Sequence, residues 1–373
     1  MSISSGIPID RSLGYESAGV DTTREEEGLS RLIQHVQRTW PPAGSLGEVK
    51  LPVGYFANVV DIGGIGIAIT TDGVGTKVLI AQMLHRYDTI GIDCVAMNVN
   101  DLLCVGATPV TMVDYLAVQK AEPDMLEQIA VGLCEGARQA RVSIPGGEIA
   151  QMSEIIRGVA GGAVDGFGFD LAGSAIGTVP LDRILVGEHI EPGDVVIGVE
   201  SNGVHSNGLT LARRALLEKG RLTLDAEIAE LGRSLGDELL RPTHIYVAEA
   251  LEVINSGVDL KALMHVTSDG LLNLTRVKSP TGYVIDFLPP PPAVFRLIQE
   301  KGEETEEEMF RVFNMGIGFC FVVTPADADR VIRIAESNGK RAYCIGHTTR
   351  DESQQVFVKP YGIVGRGKRF YRE

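Results

Sequence analysis

Short apolar runs bounded by glycine alternate along this chain with longer stretches whose apolar residues recur at helical spacing. Such alternation predicts a mixed α/β (α+β) architecture. Ile65-Gly66-Ile67-Ala68-Ile69 suits a buried strand, and Val78 to Leu84 runs on as a helix after a polar turn. Ile92, Val95, Ala96, Val99, Leu102 and Leu103 then make one helical face, broken by Gly106-Ala107-Thr108-Pro109. Val110 to Val118 reads as a buried strand in which Asp114 needs a partner, and a helix opens at Pro123-Asp124 with Leu126, Ile129, Leu133 and Ala137 on one face. Strands over Arg141–Ile144 and Phe169–Val179 follow, separated by a glycine-containing stretch at 158–168 that reads as mobile.

The second half repeats the strand, glycine-rich loop and helix unit: Val195–Val199, then Ser201–Gly208, then apolar positions at Leu209, Leu211, Ala212, Ala215 and Leu216. A helix is expected after Arg241-Pro242-Thr243, a strand within Arg311–Val323, a helix over Ala326–Ser337 and a strand at Tyr343–Gly346. The domains expected are therefore 1–180 and 181–350, followed by a loosely held basic tail over 351–373 that carries Lys359, Arg366, Lys368, Arg369 and Arg372.

Composition changes this picture mainly by exclusion. With 373 residues, 44% of them hydrophobic, the chain can bury two sizeable cores, and its formal charge of −15 disfavours a nucleic-acid surface. Five scattered cysteines without a CxxC pair read as reduced core residues, and no apolar run reaches the ~18 residues of a membrane span. A cytoplasmic enzyme acting on small molecules is expected, with no nucleic-acid or membrane partner.

Candidate chemistry gathers at the glycine-rich turns. Thr70-Thr71-Asp72-Gly73-Val74-Gly75-Thr76-Lys77 lies between a strand and a helix N-terminus, where free N–H groups favour an anion. Asp72 offers a metal ligand and Lys77 a phosphate partner; an ordinary turn using glycine is the alternative. The order Gly-Thr-Lys excludes a Walker A loop. Asp93 and Asn100, seven residues apart on one edge of a helix, point either to a metal-bound ligand or to neighbouring backbone, whereas Asp101 reads as surface. Glu148, after Gly146-Gly147, is a metal or nucleotide ligand or a capping carboxylate. His205, Ser206 and Asn207 either hold a phosphate or ribose hydroxyl or cap the next helix, and His265 either faces the cleft or is a satisfied buried histidine.

Taken together the motifs resemble the aminoimidazole ribonucleotide synthetase (phosphoribosylformylglycinamidine cyclo-ligase) family. The resemblance runs from about Gly19 to Gly346 through Ala18-Gly19-Val20-Asp21, Thr71–Lys77, Gly91-Ile92-Asp93, Val99–Leu103, Gly146-Gly147-Glu148, Asp170–Gly173, His205–Gly208, Pro242-Thr243 and Phe313–Gly316. It implies a homodimer whose N-terminal sheets share a β-barrel, a C-terminal α/β domain beside it, and ATP with Mg²⁺ in the cleft; whether K⁺ is needed stays open. The implied substrate is formylglycinamidine ribonucleotide, closed to 5-aminoimidazole ribonucleotide in purine synthesis.

Carried to matching positions, the resemblance implies His205, His265 and Lys77 as catalytic groups. It gives ATP to Asp72, Gly73, Gly75, Thr76, Asp93, Asn100, Gly147 and Glu148, the metal to Asp72, Asp93 and Glu148, and the substrate to Ser206 and Asn207. Under that reading Asp93→Asn impairs turnover far more than folding. The chain departs from the family pattern at Gly54-Tyr55-Phe56-Ala57-Asn58, where a denser glycine cluster is usual, and at Ser268-Asp269, where glycines follow the threonine. Two other readings stand beside it: a related ATP-dependent kinase or synthetase of thiamine phosphate kinase type, and a non-catalytic nucleotide-binding regulator.

Overall fold

The computed structural model describes residues 22–158 and 167–373, with side chains from residue 27 onward. Ala18–Asp21 and most of the glycine-containing stretch at 158–168 lie outside the described residues. In the first half, α1 (Thr22–Val36), β1 (Glu48–Val49), β2 (Asn58–Ile62) and β3 (Ile65–Gly73) lead to α2 (Lys77–Leu84) and α3 (Ile90–Leu103). Then come β4 (Thr108–Val118), α4 (Pro123–Ala140), β5 (Gly147–Gln151) and β6 (Phe169–Pro180).

These strands form one open six-stranded sheet in the order β1-β2-β3-β6-β4-β5, antiparallel except for the β4/β5 pair. Helix α3 packs on one face, against β3, β6 and β4, and α4 packs on α3. Along β6 burial alternates strictly, with Phe169, Leu171, Ala175 and Val179 buried and Ser174, Ile176 and Thr178 exposed. The opposite face stays open and apolar: Ile65, Ile69, Val113, Tyr115 and Ile176 are 38–57% exposed. The buried strand expected at Val110–Val118 is thus covered on one side only. No strand forms at Arg141–Ile144, where a single bridge from Ser143 to Thr111 stands instead, and the strand begins beyond Pro145.

The second half runs β7 (Val195–Glu200), α5 (Leu209–Arg213), a two-residue hairpin pair β8 (Glu227–Ile228) and β9 (Arg233–Ser234), α6 (Leu235–Leu239), α7 (Val247–Asn255) and β10 (Leu260–His265). It continues with β11 (Thr281–Ile285), α8 (Ala293–Gly302), α9 (Glu306–Val312), β12 (Ile317–Val323), α10 (Ala328–Ser337) and β13 (Ala342–Arg350). Three short strands close it, β14 (Val356–Val358), β15 (Ile363–Arg366) and β16 (Arg369–Arg372).

Eight strands pair in the order β10-β12-β7-β13-β11-β14-β15-β16. Every residue of β12 is buried, which is why Ile317-Gly318-Phe319-Cys320-Phe321-Val322-Val323 reads as an unbroken apolar run. The basic tail is not loosely held. Its arginines face solvent, while Val356, Val358, Ile363, Val364 and Phe370 between them are buried and extend the sheet by three strands. Buried apolar residues of both halves join in one cluster from Leu51 to Phe370. Helix α3 touches α7 and β10, so it carries its polar residues into the seam between the halves.

Candidate functional site

The turn after β3 forms as its sequence predicts. Gly75 takes φ +70°, a conformation that favours glycine, and α2 starts at Lys77. The second glycine-rich loop, between β7 and α5, comes to meet it: Thr76 Oγ1 lies 3.0 Å from Thr210 Oγ1, and a Cβ on Gly75 would stand 3.8 Å from the Ser206 carbonyl. The two strand-loop-helix units therefore face each other across the seam.

Beneath this meeting point lies a buried ion pair. Lys77 Nζ stands 2.9 Å from Asp93 and also donates to the Arg241 carbonyl, and both side chains are wholly buried. Asp93 further accepts from Thr243 N at 2.7 Å, Thr243 Oγ1 at 2.6 Å and Ser206 Oγ at 3.1 Å. Burial pulls the Lys77 ammonium below its usual range, and the Asp93 carboxylate opposes that pull. Lys77 and Asp93 belong to the first half and Arg241, Thr243 and Ser206 to the second, so the cluster fastens the halves together. Asn100 does the same one turn further: its Nδ2 donates to the His244 carbonyl at 2.9 Å, and its Oδ1 accepts from Tyr246 N at 2.9 Å. Neighbouring backbone, one of the two partners the sequence allows for Asn100, takes its amide.

The carboxylates nearer solvent are Asp72 and Asp101. Asp72 is the last residue but one of β3, and burial first, then the charge of Asp101, push its carboxyl up to about 6, with the Gly73 N–H pulling the other way. Asp101 is 14% exposed and its Oδ1 lies 2.9 Å from Nδ1 of His265, which is 1% exposed. A proton on Nδ1 directs the Nε2 lone pair toward Asn100 Nδ2, 3.4 Å away. His265 is therefore buried between Asp101 and Asn100, two residues of α3. The sequence reading takes Asp101 as surface and misses its contact with His265, because that partner lies 164 residues away.

His205 is 3% exposed at φ +62°, and its Nε2 accepts from Asn202 N at 3.4 Å. Burial, then the nearby His244, holds its pKa well below the ordinary histidine value, so the ring is neutral. Asn207 is half-buried beside Gly208, and no side chain caps α5. Glu148 is exposed on the edge strand β5, opposite Tyr115. Gly147 is required by packing, since a Cβ there would lie 2.4 Å from Asp114 Oδ1. Among the described residues no three His, Cys, Asp or Glu side chains converge to hold a metal. The Asp101 charge is felt at the Asp72 carboxyl, and carboxylates are the ligands that Mg²⁺ accepts when phosphate oxygens supply the others.

A cavity of about 670 Å³ opens next to the second loop, lined by Ser201, Asn202, Arg241, His244 and Arg341 among others. Its size suits a small-molecule ligand, but Asp72, Asp101 and His265 do not line it.

Comparison with known proteins agrees with the two-part architecture. Residues 55–179 match the AIR synthase related protein, N-terminal domain, and residues 191–359 its C-terminal domain. The phosphoribosylformylglycinamidine cyclo-ligase of Methanothermobacter thermautotrophicus is 47% identical over 342 residues, covering 92% of this chain and 96% of its own. That of Thermococcus kodakarensis is 47% identical over 352 residues, covering 94% and 99%. Among solved structures, thiamine-monophosphate kinase from Stenotrophomonas maltophilia shares the fold at a TM-score of 0.58 and 22% identity, covering 83% of this chain and 91% of its own. On these matches across both halves, the chain belongs to the AIR synthase related family, among relatives named phosphoribosylformylglycinamidine cyclo-ligase.

Proposed function

We propose that this enzyme uses ATP to close formylglycinamidine ribonucleotide to 5-aminoimidazole ribonucleotide in purine biosynthesis. The observation that carries the reading is near-full-length identity of 47% to relatives of that name. The site chemistry supports it. The formyl oxygen attacks the γ-phosphorus and ADP departs; the amidine nitrogen then attacks the activated carbon, phosphate leaves with that oxygen, and the nitrogen loses a proton. Little covalent work falls to the protein, so positioning and charge dominate.

In this proposal the turn Gly73–Thr76 receives the nucleotide phosphates, with Asp72 and Asp101 toward the metal ion. Mg²⁺ held there would neutralise phosphate charge and offset the Asp101 charge that adds to burial in raising the Asp72 carboxyl. His265 is a positioning residue that holds the Asp101 carboxylate in place. Lys77, Asp93, Ser206 and Asn100 act as positioning residues, setting the two loops at their working distance. Nucleotide use is further supported by the likeness of the fold to hydrogenase maturation protein HypE in complex with ATP, at a TM-score of 0.55 and 18% identity.

We place the enzyme in the cytoplasm, in keeping with five free cysteines, two of them exposed. No helix among the described residues is long and apolar enough to cross a membrane. We further propose a homodimer that pairs the open apolar faces of the first sheets and thereby closes a shared barrel. Incubation with formylglycinamidine ribonucleotide and MgATP tests the reaction, which requires ADP and aminoimidazole ribonucleotide to appear in equal amounts. ADP without imidazole would point to another acceptor.

A further inference from the structure

Arg276 closes the short helical turn Gly270–Thr275 that follows β10 and His265. Its guanidinium carbon lies 5.0 Å from the centroid of the Phe56 ring, which belongs to the other half of the chain. Phe56 is 8% exposed, and its carbonyl accepts from Thr70 Oγ1 at 3.4 Å, two residues before Asp72. Arg276, on the segment that follows the strand ending in His265, thus reaches Phe56, whose carbonyl is bonded to the strand that carries Asp72.

The way Arg276 is held matters as much as its place. Its partner is Asp269 Oδ2 at 3.7 Å, an ion-pair distance and too long for a hydrogen bond, and the two side chains are 35% and 30% exposed. Asp269 itself sits at φ +72°, a strained conformation for a residue with a side chain. Lys77 is buried and committed to Asp93, so it has no exposed face to offer an anion. Arg276 is half-buried, and through Phe56 it reaches the other half of the chain. A planar guanidinium stacked on an aromatic ring keeps its edge N–H groups free for the paired oxygens of a phosphate.

We propose that Arg276 binds a phosphate group of a ligand held at the Asp72–Asp101 site, exchanging its contact with Asp269 for that phosphate while staying stacked on Phe56. Two sources share this chemistry: the γ-phosphate of the nucleotide and the ribose phosphate of the substrate. The inference rests on the proposed reaction. It gives a role to Asp269, one of the departures from the family pattern, which holds the cation in the absence of ligand.

The test is Arg276→Ala and Arg276→Lys in the full chain, measured by steady-state kinetics and by calorimetric titration with MgATP and with MgADP. Arg276→Ala should lose about 100-fold in kcat/KM, and Arg276→Lys should recover only part of it because an ammonium lacks the planar fork. A raised KM for the formylglycinamidine substrate with unchanged MgATP affinity assigns the ribose phosphate. Weakened MgATP with unchanged MgADP assigns the γ-phosphate. Unchanged kcat/KM for both substrates in either folded variant overturns the proposal. Should the wild-type chain form no imidazole product, the proposed reaction fails separately, and titration with MgATP, MgADP and formylglycinamidine ribonucleotide decides: weaker binding of MgATP or of the ribonucleotide in Arg276→Ala sustains the phosphate contact, and identical titrations of the two proteins with all three overturn it.

Discussion

Asp93 shows how a single side chain can change meaning once its neighbours are known. In the sequence it is a carboxylate on the edge of an apolar helix face, readable as a metal ligand whose replacement should spare folding. In the structure it is the fully buried counter-charge of Lys77 and the acceptor of both Thr243 donors. Removing one partner of such a pair leaves an uncompensated charge away from water, at a cost of about 3–5 kcal/mol. Asp93→Asn is therefore expected to lose stability of that size in urea unfolding; a loss below about 1 kcal/mol would contradict the structural weight given to the pair and favour the ligand role.

His244 gives a pH signature at the same scale. Burial lowers its pKa from 6.5 to about 4, with Lys340 adding to the effect, so the folded ring stays neutral where the unfolded one takes up a proton. Its contribution is complete above 6.5 and is lost as pH falls toward 4. Between pH 7.5 and 5.5 wild type should lose about 1 kcal/mol more unfolding free energy than His244→Gln. Equal losses would mean that the ring is already solvated.

Elements were legible wherever one apolar rhythm governed them. The strand-turn-helix at Ile65–Leu84, the face of α3 and the unbroken run of β12 all stand where the pattern puts them. Two failures have physical causes. Arg141–Ile144 has strand-like residues, but it makes a single bridge and the chain pairs only after Pro145. In the tail the arginines hid the apolar residues between them, and Lys359 and Arg366 flank buried Ile363 and Val364. A loosely held tail would tolerate loss of an aromatic ring. Phe370 is instead 5% exposed and packs against Phe310, so Phe370→Ala should cost about 3 kcal/mol in thermal or urea unfolding. A cost near zero would reinstate the loose tail.

At the scale of the whole molecule, what the sequence could not reveal is which residues meet across the seam. Asp101 and His265 are 164 positions apart, and Phe56 and Arg276 come from opposite halves. No local pattern relates such pairs, whereas the loops themselves announced their chemistry through glycine and polar residues. The open sheet raises a further question of assembly. A face carrying Ile65, Ile69, Val113, Tyr115 and Ile176 in contact with water is a cost that pairing removes. Light scattering of the wild-type chain should give twice the monomer mass of 40.0 kDa, and Val113→Lys should lower it toward one. A monomeric wild-type chain would refute the shared barrel.

The central claim concerns one oxygen atom. If the formyl oxygen takes the γ-phosphoryl group before the amidine nitrogen closes the ring, that oxygen must leave in the phosphate. Formylglycinamidine ribonucleotide labelled with ¹⁸O in the formyl group, turned over with MgATP, should yield inorganic phosphate carrying one ¹⁸O per aminoimidazole ribonucleotide formed. Imidazole formed with unlabelled phosphate would contradict activation at that oxygen.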